Sequence, residues 1–135
     1  MKKIVLLLSA AALTAVLFSA CKKDDNNDAD SVNDRIRAKW DLNSITSDDY
    51  FGGDHNRDTT TFTGAEYVEF RSDNRVVANF GIGTDTSAYT VLDNSRIIID
   101  TDTFSIATLN NNSLVLYQKD IAGANYFEQT INLSK

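Results

Sequence analysis

From Lys39 onward, apolar and polar side chains alternate in short runs, the period of strands that bury one face. Trp40 and Leu42 fall on one side with Asp41 and Asn43 on the other. Val68 and Phe70 oppose Glu69 and Arg71, and Val76, Ala78 and Phe80 oppose Val77 and Asn79. The alternation continues through residues 88–92, 96–100, 103–109, 113–117 and 126–133. Between the runs stand Ser72-Asp73-Asn74, Gly81-Ile82-Gly83, Asp93-Asn94-Ser95, Asn110-Asn111-Asn112 and Ala122-Gly123-Ala124-Asn125. These are turn residues at hairpin spacing. Ahead of Lys39 the period is helical: Asp30 or Ser31 can cap a short helix carrying Val32, Ile36 and, at its limit, Trp40.

About eight strands with short turns leave little chain for crossovers, so sequence neighbours should be sheet neighbours. The prediction is an all-β fold, a small antiparallel up-and-down meander with a short N-terminal helix. Closing that meander into a barrel removes its edges, and a barrel of this size either fills with side chains or holds one small ligand. A two-sheet β-sandwich is the alternative. The strand at 96–100 is apolar on both faces, so Ile98 is either covered by the helix or part of an exposed patch. Residues 47–58 read as a loop arching over one barrel mouth, with Tyr50 and Phe51 beside Gly52-Gly53 as ligand-binding candidates. A polar connection with two locally packed aromatics is the other reading of that segment.

Phe127, Gln129, Ile131 and Leu133 share a face, which makes Gln129 an inward amide needing a partner and a third ligand-binding candidate. Trp40 reads as a plug for the closed end. Tyr67, Tyr89, Tyr117 and Tyr126 are expected on an outer face.

The N-terminal stretch follows a different rule. Lys2-Lys3, an apolar segment from Ile4 to Phe18, and small Ser19 and Ala20 before Cys21 make a three-part export signal too short for a comfortable membrane span. The pattern resembles the lipobox of bacterial lipoproteins, and the resemblance implies that Cys21 is the lipidation site, carrying diacylglycerol and a further acyl chain. Residues 1–20 are then a signal peptide, 21–30 a disordered acidic tether and 31–135 the folded domain. Lys22-Lys23 followed by Asp24-Asp25 resembles the signal that sends lipoproteins of the Bacteroidota to the outer face of the outer membrane; a merely soluble linker is the plain alternative. Multiple acyl chains suffice for stable anchoring.

Removing Lys2 and Lys3 from the 13 basic residues leaves 11 against 19 acidic ones, a formal charge of −8 rather than −6. That balance argues against nucleic acid as a partner. Cys21 is the only cysteine, so no internal disulfide can form.

The order of Ala38-Lys39-Trp40-Asp41-Leu42, Tyr67-Val68-Glu69-Phe70, Tyr89-Thr90-Val91, Ile97-Ile98-Ile99, residues 104–109 and Leu114-Val115-Leu116 resembles the lipocalin-like domains of Bacteroidota lipoproteins. The resemblance implies a small barrel and a ligand cavity, and it implies no chemistry.

Few residues in the chain suggest chemistry. His55 is the single histidine and reads as a solvated loop residue, with no Ser-His-Asp order or His/Cys metal spacing around it. Asp48, Asp49, Asp54 and Asp58 could offer oxygens to calcium, but their spacing departs from the Asp-x-Asp-x-Asp-Gly loop. No enzyme activity, metal or cofactor is expected. Asp30-Ser31-Val32 and Asp58-Thr59-Thr60 resemble acceptors for O-glycosylation, at Ser31 and Thr59. The expectation is a lipid-anchored outer-membrane protein, surface-exposed and monomeric, that binds a small apolar or amphipathic ligand. Its alternative is a non-catalytic module with a solid core that recognises an envelope protein or glycan.

Overall fold

The structure, a computed structural model, describes residues 27–135. Cys21, the expected signal peptide and most of the expected tether lie outside the described residues. Helix α1 (Asn27–Ile36) precedes strands β1 (Lys39–Phe51), β2 (Asp54–Thr61), β3 (Tyr67–Phe70), β4 (Arg75–Asn79), β5 (Thr84–Val91), β6 (Arg96–Ile99), β7 (Asp102–Leu109), β8 (Ser113–Ala122) and β9 (Asn125–Ser134). Each strand from β3 to β9 pairs antiparallel with the next, and β1 pairs with both β3 and β9. The eight strands β1 and β3–β9 therefore close into a barrel, and the sandwich alternative is ruled out.

Two bulges adjust the register. One at Asn43 shifts the β1–β9 pairing between Leu42 and Ser44, so that Leu42 and then Ile45 both face inward opposite Leu133 and Ile131. The other, between Ile106 and Thr108, does the same for β7 against β8.

One end of the barrel is closed. Trp40, Leu42, Phe70, Ile97, Leu114, Leu116 and Leu133 fill the interior with almost no exposure, and α1 brings Val32 and Ile36 up against them. The Trp40 Nε1–H donates to Ile36 O at 2.8 Å, Phe70 meets Tyr89 edge to face at 5.1 Å, and the Lys135 ammonium lies 4.0 Å over the indole. Trp40 thus plugs the closed end as expected, but it belongs to β1 because its pairing with Val68 sets the strand register there. The helix starts at Asn27, ahead of the expected cap at Asp30 or Ser31, so it takes up part of the stretch expected to be tether. Ile98 is half-buried on the outer face between Thr90 and Thr103, and the helix does not cover it, because α1 packs beneath the barrel. Tyr89 departs from the outer-face expectation: its ring is buried, with the hydroxyl donating to Arg71 O at 3.0 Å and lying 3.1 Å from Asn33 Oδ1.

Among the described residues, the turn between β5 and β6 carries the strongest carboxylate perturbation. Asp93 accepts from Arg96 Nε at 2.8 Å and from the Ser95 amide and hydroxyl, both at 2.8 Å. The arginine first, and then Ser95, hold its carboxyl down from the ordinary 3.8 to about 2. A carboxyl lowered on folding stabilises the native state fully above its ordinary value, and that contribution fades as pH falls through about 2. A side-chain titration followed by NMR should therefore place Asp93 near 2, and Arg96→Ala should raise it toward 3.8 while the Ser95 bonds still hold it below.

Candidate functional site

The barrel's other end is open and asymmetric. β1, β2, β8 and β9 outrun the remaining strands and rise as a four-stranded wall above the mouth. The segment expected to be a loop, residues 47–58, is the upper half of this wall: β1 and β2 form a hairpin paired from Ser44↔Thr61 to Phe51↔Asp54. Gly52 and Gly53 make the two-residue turn, both at positive φ. Every side chain of β2 is exposed, which is why no hydrophobic alternation marks it.

At the foot of the wall the interior is incompletely filled. A cavity of about 180 Å³ lies among Val76, Ala78, Phe80, Ile99, Phe104 and Ile131, with Asp85 and Ser87 at its border. Phe80 is 43 % exposed at the rim, so the cavity opens upward toward the wall rather than into the plugged end.

Strand parity assigns the wall's two faces. Above Ile45, Ile131 and Leu116, the inner face carries Ser47, Gln129 and Gln118 in one row, then Asp49, Phe127 and Asp120 in the next. Gln129 is inward as expected and half-buried. Its neighbour Gln118 is more deeply buried, and its amide nitrogen donates to Asp120 Oδ2 at 3.2 Å.

The outer face carries Tyr50 stacked on Tyr126 at 5.7 Å, and Lys119 bonded to Glu128. Desolvation pushes the Tyr126 phenol up, helped by the Asp48 carboxylate, and the hydrogen bond from Lys119 to Glu128 raises the lysine. At the tip, Tyr50, Phe51, Ile121, Tyr126 and Phe127 border a cleft of about 450 Å³, and Asn125 Oδ1 accepts from the Gly52 amide at 3.1 Å. The three candidates are thus split: Tyr50 and Phe51 lie together at the tip, whereas Gln129 sits lower, toward the mouth.

Reactive arrangements are scarce. His55 is a strand residue, not a loop one, and its Nε2 lies 2.6 Å from Asp48 Oδ1. Tyr126 donates to the same carboxylate oxygen at 3.4 Å. This pair has no nucleophile hydrogen-bonded to its imidazole among the described residues. Asp48 points outward while Asp49, Asp54 and Asp58 share the inner face, so the four do not converge. No group of three His, Cys, Asp or Glu side chains suited to a metal occurs among the described residues. A shallow polar hollow of about 520 Å³ beside α1 is lined by Arg37, Lys39, Glu69, Arg71 and Asp73. Its Arg71 is already bonded to Glu69 at 2.9 Å.

No family model matches the chain, and no curated protein does. Among solved structures, the bovine lipocalin allergen Bos d 2 is similar at 17 % identity, covering 76 % of this chain and 74 % of its own, with a TM-score of 0.47.

Gln118 and Asp85 were not singled out from the sequence, although parity signals both. Leu114, Leu116 and Gln118 share a face, as do Asp85, Ser87 and Tyr89.

Proposed function

We propose that this chain is a binding protein whose open barrel end receives a small apolar or amphipathic molecule, held at the outer-membrane surface by lipid on Cys21. The observation that carries the binding reading is the apolar cavity under the wall. At about 180 Å³ it falls short of the roughly 300 Å³ at the low end of drug-sized pockets. It exceeds the about 150 Å³ that suffices for a benzene-sized ring. The buried part of a ligand is therefore ring-sized, and the remainder lies along the inner wall past Gln118 and Gln129.

Titrating 2-phenylethanol, a neutral ring-sized probe, should shift the side-chain NMR signals of Val76, Ile99 and Ile131 saturably. Those of Leu114, sealed at the closed end, should stay still. No saturable shift would remove the reading.

The anchor is supported by the segment from Lys2 to Cys21 and by the lysine and aspartate run behind it. Cys21→Ala should abolish fatty-acid labelling and release the protein from the membrane fraction of a bacterial host. A second reading, recognition of an envelope protein or glycan, is favoured by the wall tip, where Phe51 is 73 % and Ile121 69 % exposed.

A further inference from the structure

The helix that follows the proposed anchor is fixed to the closed end of the barrel. From that placement and from the distribution of charge we infer that the closed end is the membrane-facing surface and rests on anionic lipid headgroups. The mouth then opens away from the bilayer, and its ligand is taken from the surrounding medium rather than from the leaflet that holds the anchor. The inference rests on the lipid anchor at Cys21 proposed above.

Covalent reach sets the first limit. Helix α1 is pinned beneath the barrel: Val32 and Ile36 are buried, the Trp40 indole donates to Ile36 O, and Asn33 Oδ1 lies 3.1 Å from the Tyr89 hydroxyl. Asn27, where α1 begins, is six residues from Cys21. Six residues span about 20 Å at full extension. On β1, Lys39 at the closed end and Phe51 at the wall tip are twelve residues apart, which is about 40 Å along the strand. A lipid on Cys21 therefore cannot seat in the bilayer while the barrel stands on its mouth.

Reach alone would let the barrel lie on its side, and charge decides against that pose. Among the described residues, Arg57 and Lys119 are the only cations in the open half, against ten carboxylates on the wall and around the mouth, a formal −8. The other seven lysines and arginines sit on α1 or where strands and turns meet the closed end, and seven carboxylates match them there. An anionic surface acts over about 8 Å at physiological salt. A barrel on its side brings the acidic wall into that field, and a barrel standing on its base keeps it out. At the base, Lys39, Arg75 and Lys135 form no ion pair among the described residues, so their charges are available to headgroup phosphates.

The same orientation settles where the exposed apolar side chains point. Phe51, Phe80, Ile82, Ile121 and Phe127 are all at the open end. Within reach of a bilayer they would favour insertion. Held above it, they face the medium and whatever enters the mouth from there.

The test uses the full-length chain, lipidated in a bacterial host and reconstituted into vesicles of phosphatidylcholine and phosphatidylglycerol that carry an energy-accepting dye on a headgroup. Lipidation consumes the Cys21 thiol, so a donor dye attaches only to an introduced one. Asn94→Cys and Asn111→Cys place it on two turns of the closed end, and Ile121→Cys and Ala124→Cys place it at the tip; all four positions are exposed. Energy transfer to the headgroups should be at least about twofold stronger from the two base positions, because the barrel and wall set the tip about 40 Å farther along β1. Equal transfer from base and tip, or stronger transfer from Ile121→Cys and Ala124→Cys, would overturn the orientation while the anchor stands. A full-length chain that fails to float with the vesicles would overturn the anchor reading and the orientation with it.

Discussion

Trp40→Ala should be the most damaging single substitution in the barrel, lowering stability by about 3–5 kcal/mol, the usual range for deleting a buried large aromatic. Its side chain is fully buried, touches the helix through its indole N–H and receives the Lys135 ammonium on its face. Loss of the ring opens the floor of the barrel where strands and helix meet. In a domain of about 100 residues each kcal/mol moves the melting temperature by roughly 4–8 °C, so the midpoint should fall on the order of 20 °C. Trp40→Phe keeps most of the apolar area and gives up the donor to Ile36, a loss of about 1 kcal/mol. Thermal melts of the two variants separate packing from hydrogen bonding. A Trp40→Ala midpoint within a few degrees of the parent would show that the floor is not the stability centre.

Ala78→Trp should produce the largest functional loss. Ala78 lies on the cavity wall, partly buried, between Val76 and Phe80 and opposite Asp85. An indole built from that position occupies the volume a ring-sized ligand would use, so affinity for 2-phenylethanol should drop by more than about tenfold, a change of at least about 1.4 kcal/mol. Overpacking typically costs 1–3 kcal/mol, but here the side chain enters existing space, so the melting temperature should change little. Retained affinity in a folded Ala78→Trp protein would move the ligand out of the barrel mouth and toward the wall tip.

Strands with one buried face were legible in the chain, since Val68-Glu69-Phe70 or Leu114-Val115-Leu116 can bury alternate residues only as half-covered strands. β2 was not. Its residues Asp54-His55-Asn56-Arg57-Asp58-Thr59-Thr60-Thr61 meet water on both faces, and burial writes no period into such a segment. The two-residue Gly52-Gly53 turn and the β-branched threonines were the available signals for it. Closure between β1 and β9 joins chain ends that no local pattern connects.

Part of the site was readable by parity, as Gln129 shows. Its partners were hidden by where the apolar runs stopped: Gln118 lies just past Tyr117, and Asp85 lies in the polar Thr84-Asp85-Thr86-Ser87 lead-in to β5.

The upper half of the wall separates two demands that usually conflict. Its hairpin contributes almost nothing to the core, with β2 wholly exposed and β1 exposed at Phe51, while the residues that hold the barrel shut lie at the opposite end. Substitutions at Phe51 and from Asp54 to Asn56, outside the Gly52-Gly53 turn, can therefore accumulate with little penalty in folding, and what the mouth admits can diverge between descendants of this chain while their scaffold stays the same. Lineages built on such a barrel should vary most along this hairpin and least around Trp40.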